Sequence, residues 1–214
     1  MPQPNTECDE ILSLLAYALV YRAWQPDTIP FAQRRGYNIG ALLVDPNDKP
    51  VAYDLNCVNS TGNATQHGEV RVITRYLEQT RNFLLDGFSL YVTLEPCIMC
   101  AGMITMTSID RVVYGQHDVA YSKAFERLFD GAGLPEHPRT VIASPSTLSI
   151  CSQLDAAYQE YLQTAEEKIL AKFLASEKAR VIFESAEMAF LDFVPALEEN
   201  KKIHEQALHF YHST

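Results

Sequence analysis

Two short strings in this 214-residue sequence hold residue types that bind metals and move protons: His67-Gly68-Glu69 and Pro96-Cys97-Ile98-Met99-Cys100. Two thiolates three positions apart at the start of a helix lie on one face and can share one metal ion. The amino end of a helix favours negative charge, which helps keep both sulfurs ionised. His67, at the start of another predicted helix, can supply a third ligand. Three protein ligands leave one position of a tetrahedral zinc open to water, the arrangement of a catalytic site; a structural site is closed by four. Zinc lowers the pKa of its water from about 16 to about 7. Glu69, two residues beyond His67, stays off the metal and can pass a proton from that water to a substrate. Such positioned transfer contributes on the order of 10²–10⁴ in rate. Taken singly, a Cys-x-x-Cys also serves as a redox pair or as half of a structural zinc site. A histidine at a helix start is commonly a surface or cap residue. Both strings together, on successive helices separated by a strand, select the catalytic reading.

The elements that must position these residues follow from periodicity and turn chemistry. Residues 7–23 read as a helix, with Ile11, Leu14, Leu15, Ala18 and Leu19 on one face. Pro26 and Pro30 open a loop that runs to Tyr37. Strands over 38–44 and 51–55 flank the turn-forming Asp45-Pro46-Asn47-Asp48 and make a hairpin. Helices over 67–79, 97–106 and 122–129 alternate with strands over 88–94, 111–114 and 140–143. Pro96 suits the first turn of the second of these helices. The alternation predicts an α/β layered fold with the later strands parallel. From Gln153 to His212 there is no glycine and a single proline, Pro195, and the pattern reads as two or three helices. The expected organisation is a zinc-dependent domain over 1–150 with a helical extension over 151–214 packed on it.

Composition narrows the partners. Hydrophobic residues make up 47% and charged residues 21%, enough for a packed core. The net charge of −10 is shared between the two segments and argues against a broad, non-specific grip on nucleic acid. The first ten residues, MPQPNTECDE, lack the basic region of a secretory signal, and the apolar run 11–20 is too short to span a bilayer. Five cysteines at uneven spacing make a poor disulfide framework, so a reducing cytoplasm is expected. Cys8, Cys57 and Cys151 have no partner motif and read as structural, with Cys57 nearest the expected site.

The H-x-E and P-C-x-x-C combination is the signature of zinc nucleobase deaminases. The chain resembles the cytidine deaminase-like superfamily from Ile39 to Asp118, and within it the tRNA adenosine deaminases. The likeness is carried by the run from Thr93 to Met103 (TLEPCIMCAGM), by Ile109 to Gly115 (IDRVVYG), and by the thirty positions from His67 to Cys97. It implies a three-layer α/β/α sandwich with a five-stranded mixed sheet, and a homodimer or larger assembly. It also implies four substrate contacts. Asn56 would hydrogen-bond the target base, backbone groups of Ala41 or nearby and of Glu95 would line the base pocket, and Asp118 would lie near the ribose. Glu95 could instead cap the following helix, and Asp118 could be a turn residue.

One residue and three regions depart from the tRNA enzymes. Gly68 stands where the family has alanine. The loop over 25–37 is longer, and with Trp24 it brings Phe31, Arg34, Arg35 and Tyr37, which could clamp a nucleotide or pack on the core. Residues 121–134 and the tail beyond 151 differ, and the tail lacks a basic end. Two substrate classes stay open: adenosine in tRNA or another nucleic acid, or a free base, nucleoside or nucleotide of guanine or cytosine type. A silent partner subunit that keeps zinc for binding is disfavoured by Glu69.

Overall fold

The computed structural model describes residues 6–129 and 141–214. The chain begins with helix α1 (Thr6–Arg22), a single 3-10 turn (Phe31–Gln33) and the hairpin β1 (Gly40–Val44) and β2 (Pro50–Leu55). Then follow α2 (Gly68–Thr80), β3 (Ser89–Leu94), α3 (Ile98–Met106), β4 (Arg111–Gln116), α4 (Ala124–Phe129) and β5 (Ile142–Pro145). Helices α5 (Ser149–Thr164), α6 (Leu170–Phe173), α7 (Glu177–Leu191) and α8 (Glu198–Ser213) complete it.

The strands form one mixed sheet in the order β2-β1-β3-β4-β5. β1 pairs antiparallel with β2 and β3, while β3–β4 and β4–β5 are parallel. The hairpin turns where expected: Asp45 Oδ1 accepts the N–H groups of Asn47 and Lys49, and Asp48 takes a φ of 58°. Alternate side chains along each strand point to opposite faces. Leu42, Val44, Tyr91 and Val113 enter one core with α1, α5 and α7; Ala41, Leu43, Leu90, Val92 and Val112 enter the other with α2 and α3. The architecture is a three-layer α/β/α sandwich with further helices stacked on one side. Of the strand expected over 140–143, Thr140 lies outside the described residues, and β5 runs on to Pro145.

Three expectations need correction. The first helix does not bury one stripe: every residue from Ile11 to Val20 is buried, Ser13 included. α1 lies between the sheet and α7 and α8, and a helix enclosed on all sides is apolar all round. The tail forms three long helices plus the single turn α6, one element more than its pattern suggested. Pro96 stands one residue ahead of Cys97, the residue that caps α3, so it fixes the approach to that helix and lies outside its first turn.

The helical tail is tied to the start of the described chain. The Glu7 carboxylate accepts the N–H groups of Ala196 and Leu197 and the side-chain amide of Asn200, which caps the amino end of α8 from another element.

Candidate active site

His67 caps the start of α2 and Cys97 caps the start of α3, each with extended backbone and neither with a side-chain capping bond. Both side chains are therefore free to face each other across the amino ends of the two helices. Cys100, one turn into α3, completes the group. Cys97 Sγ lies 3.7 Å from His67 Nδ1 and 3.6 Å from Cys100 Sγ, and Cys100 Sγ lies 3.5 Å from His67 Nδ1. A tetrahedral zinc with Zn–S near 2.3 Å and Zn–N near 2.0–2.1 Å sets these separations at about 3.8 Å for S···S and about 3.6 Å for S···N. The triangle fits the ion, and among the described residues it is the one cluster of this kind.

The electrostatics agree with the fit. The Cys97 thiol is drawn down to about 4, first by the hydrogen bond from Cys100 and then by His67. The same pairing, with burial, pushes the Cys100 thiol up, because two adjacent sulfurs resist ionising together. A coordinated cation reverses this and deprotonates the thiol outright. The hydrogen bond to Cys97 raises His67 against the effect of burial.

A cavity of about 420 Å³ opens on this triangle, a size suited to a small planar ligand. Glu69, in the first turn of α2, lines it at 4% exposure. Burial pushes its carboxyl above the ordinary carboxylate range. Gly68 lets α2 start against the sheet: a Cβ there would stand 3.1 Å from Asp54 O and 3.2 Å from Ala41 N.

Asn56 lines the same cavity, buried, with its Oδ1 accepting the Tyr37 N–H at 3.2 Å. Its Nδ2 donates no hydrogen bond among the described residues, so a donor is left for a ligand. Gly36 makes this placement possible, since a Cβ there would stand 2.2 Å from Asn56 Oδ1.

Asp118 also faces the cavity, and its Oδ1 accepts the N–H groups of Ala120 and Tyr121, so it is a turn-forming residue as well as a wall residue. Glu95 lines the cavity and does not cap α3: its carboxylate accepts the N–H groups of Asp118 and Lys123 and holds that loop. Of the stretch around Ala41, Ala41 itself is buried within β1 beneath Gly68, and its neighbour Ile39 lines the cavity.

The two arginines of the loop over 25–37 turn inward, while Phe31 stays exposed. Trp24 packs at a tilt against Phe183 with ring centroids 5.1 Å apart, Arg34 donates to Ala171 O, and Arg35 donates to Ala23 O and Asn56 O. Of the five side chains that could have clamped a nucleotide, Tyr37 reaches the cavity. Tyr121 and Leu170 line it too. Sequence reasoning missed both, and Leu170 has no local signal because it is brought in by the tail. Cys8, Cys57 and Cys151 stand apart from the triangle, and no cysteine forms a disulfide.

Residues 16–116 match the family described as cytidine and deoxycytidylate deaminase zinc-binding region. A tRNA-specific adenosine deaminase 2 from Xenopus laevis is 41% identical over 83 residues, covering 36% of this chain and 47% of that protein. A tRNA-specific adenosine deaminase from Haemophilus influenzae is 33% identical over 114 residues, covering 53% of this chain and 61% of that protein. The chain thus spans roughly half to three fifths of these curated relatives. A structure solved in work on A-to-I editing by tRNA:A34 deaminases at the wobble position is 29% identical, covering 61% of this chain and 93% of that one, with a TM-score of 0.49. A guanine deaminase structure from Nitrosomonas europaea is 12% identical, covering 81% and 83%, with a TM-score of 0.43. Residues 16–116, with the His67, Cys97 and Cys100 triangle inside them, are thus similar to the cytidine and deoxycytidylate deaminase zinc-binding region.

Proposed function

We propose that this protein is a zinc-dependent hydrolase that deaminates a nucleobase, with adenosine in tRNA or another nucleic acid converted to inosine. The observation that carries the reading is the His67, Cys97 and Cys100 triangle opening on a cavity that also holds Glu69 and Asn56. His67, Cys97 and Cys100 would hold the zinc, which when bound makes hydroxide available at neutral pH. Glu69 takes a proton from the attacking water and delivers it to the ring nitrogen, then carries the second proton, from the hydroxyl now on the ring carbon, to the amine as the C–N bond breaks and ammonia leaves. Burial raises this carboxyl above the ordinary carboxylate range, which makes it a stronger base than an exposed glutamate and suits proton pickup. Asn56 Nδ2 donates to the base and fixes its orientation. Tyr37, Tyr121 and Leu170 flank it, and Asp118 lies where a sugar would follow. The identity of the curated relatives supports a tRNA substrate.

A second substrate class, a free base, nucleoside or nucleotide of guanine or cytosine type, is favoured by one observation. Arg35 turns into the fold, and the net charge is −10, so little is offered to a long polyanion. A single assay panel decides between them: free bases, nucleosides and bulk tRNA, followed by ammonia release and by inosine in the RNA. Ammonia from a small substrate with no inosine in tRNA would remove the first substrate class; no ammonia from any would remove the enzyme reading.

The zinc-dependent part over 1–150 and the helical extension over 151–214 would act together, since Leu170 completes the cavity wall. Exposed Ile98, Met99 and Met106 on α3 support a homodimer through that helix. Free cysteines support a cytoplasmic location, and no described helix is long and apolar enough to cross a membrane.

A further inference from the structure

A second cavity, of about 500 Å³, lies against the wall of the first. The chain alternates between them: Leu170 lines the first, while Ile169, Ala171 and Lys172 line the second. Opposite, the partition continues through two aromatic rings in edge contact. Tyr37 faces the first cavity and Phe31 the second, with ring centroids 5.4 Å apart.

The second cavity contains a buried cation. Arg34 lines it at 5% exposure. Its Nη1 donates to Ala171 O at 3.1 Å, its Nε is buried with no partner, and its guanidinium sits 5.3 Å from the centre of the Phe31 ring. No carboxylate forms an ion pair with it among the described residues. Arginines this buried are almost always paired, and an unsatisfied buried donor calls for an explanation. Lys172 brings a second positive charge to the same cavity, with Glu167 2.6 Å from its Nζ. Asp27 is the one acidic lining residue, and it is exposed.

We propose that this second cavity binds a phosphate group, held by Arg34 and attracted by Lys172, with the Phe31 ring as a platform for whatever the phosphate carries. A guanidinium fork matches phosphate oxygens, and phosphate contacts fix the register of a nucleic acid without reading its sequence. The anion site rests on its own cavity. Taking the phosphate to be the substrate's own, next to the target nucleotide, rests on the reading of the first cavity as a nucleobase site.

The test titrates the zinc-loaded full chain with inorganic phosphate at constant ionic strength, followed by phosphorus NMR. Saturable binding is expected, weakened tenfold or more in Arg34→Gln and in Lys172→Glu. Arg34→Gln also loses its bond to Ala171, so the exposed Lys172→Glu decides if the first variant fails to fold. Absence of saturable binding, or binding that Lys172→Glu leaves within twofold, would overturn the proposal. A kinetic arm identifies the source of the phosphate. If it belongs to the substrate, Lys172→Glu lowers kcat/KM for an RNA oligonucleotide severalfold and leaves a free nucleoside unaffected. If neither rate moves while phosphate binding drops, the site takes free phosphate. A protein that binds phosphate as expected but deaminates nothing keeps this site and loses the proposed function.

Discussion

The carboxylate of Glu95 holds the backbone of Asp118: Oε2 accepts the Asp118 N–H at 3.2 Å, while Oε1 accepts that of Lys123 at 2.7 Å. Glu95 stands two residues before Cys97, so the strand end that leads to the sulfurs is fastened to the loop bearing Asp118 and Tyr121. Glu95→Ala leaves two backbone donors without their acceptor. The expected cost is about 1–3 kcal/mol, read from the urea midpoint. Zinc content should stay as in the wild type while KM rises, since the cavity wall loosens and the triangle does not. An unchanged midpoint would mean that the loop is held by other contacts.

Glu69→Gln keeps the shape of the side chain and removes the proton acceptor. Turnover should fall on the order of 10²–10⁴ with zinc content intact. Near wild-type turnover in a zinc-replete variant would overturn the proton-transfer role.

Gly36 and Gly102 should respond in opposite ways to alanine. At Gly36 the new methyl would meet Asn56 Oδ1 at 2.2 Å and displace the proposed base reader. Gly36→Ala should therefore lower the melting temperature and raise KM together. At Gly102, inside α3, nothing lies within 4 Å of the new methyl. Gly102→Ala should raise stability by about 0.5–1 kcal/mol through helix propensity alone. Calorimetric melts of the two variants check both signs.

Glu7 sets a pH dependence. Its carboxyl is held below the ordinary value of 4.5, first by the Asn200 amide and also by the N–H groups of Ala196 and Leu197. A depressed folded-state value contributes stability that is present above 4.5 and is lost as pH falls through the folded value. Glu7→Gln should cost about 1 kcal/mol at neutral pH, the usual worth of a helix cap. That difference should shrink below pH 4.5 and vanish in stronger acid, in paired denaturation curves. A difference that persists unchanged at low pH would point to packing instead of charge.

Much of this was legible in the sequence because local rules applied. The turn at Asp45 to Asp48 set the hairpin. The spacing of Cys97 and Cys100 on one helix turn gave the sulfur pair before any fold was known. What escaped depended on contacts between distant segments. α1 reads as amphipathic because a one-dimensional pattern cannot show that α7 and α8 cover its outer side. Leu170 looks like any leucine of a helical tail until α6 is set against the loop that carries Tyr37. Glu95 could be read as a cap or a pocket residue; it lines the pocket, and its carboxylate's hydrogen-bond partners lie 23 and 28 positions away. The stretch around Ala41 was assigned to the pocket by family position; the close approach of Gly68 covers Ala41 itself, and Ile39 lines the cavity.

The enclosure of α1 also bears on how the protein is made. Among the described elements it emerges first, and its outer cover, α7 and α8, emerges last. At about 5–20 residues per second, the roughly 190 positions between Glu7 and Leu197 take about 10–40 s to synthesise. For that time an almost wholly apolar helix has the nascent sheet on one side and nothing native on the other. A ribosome stalled before α7 should therefore carry a chain that chaperones bind, and release of the finished tail should free it.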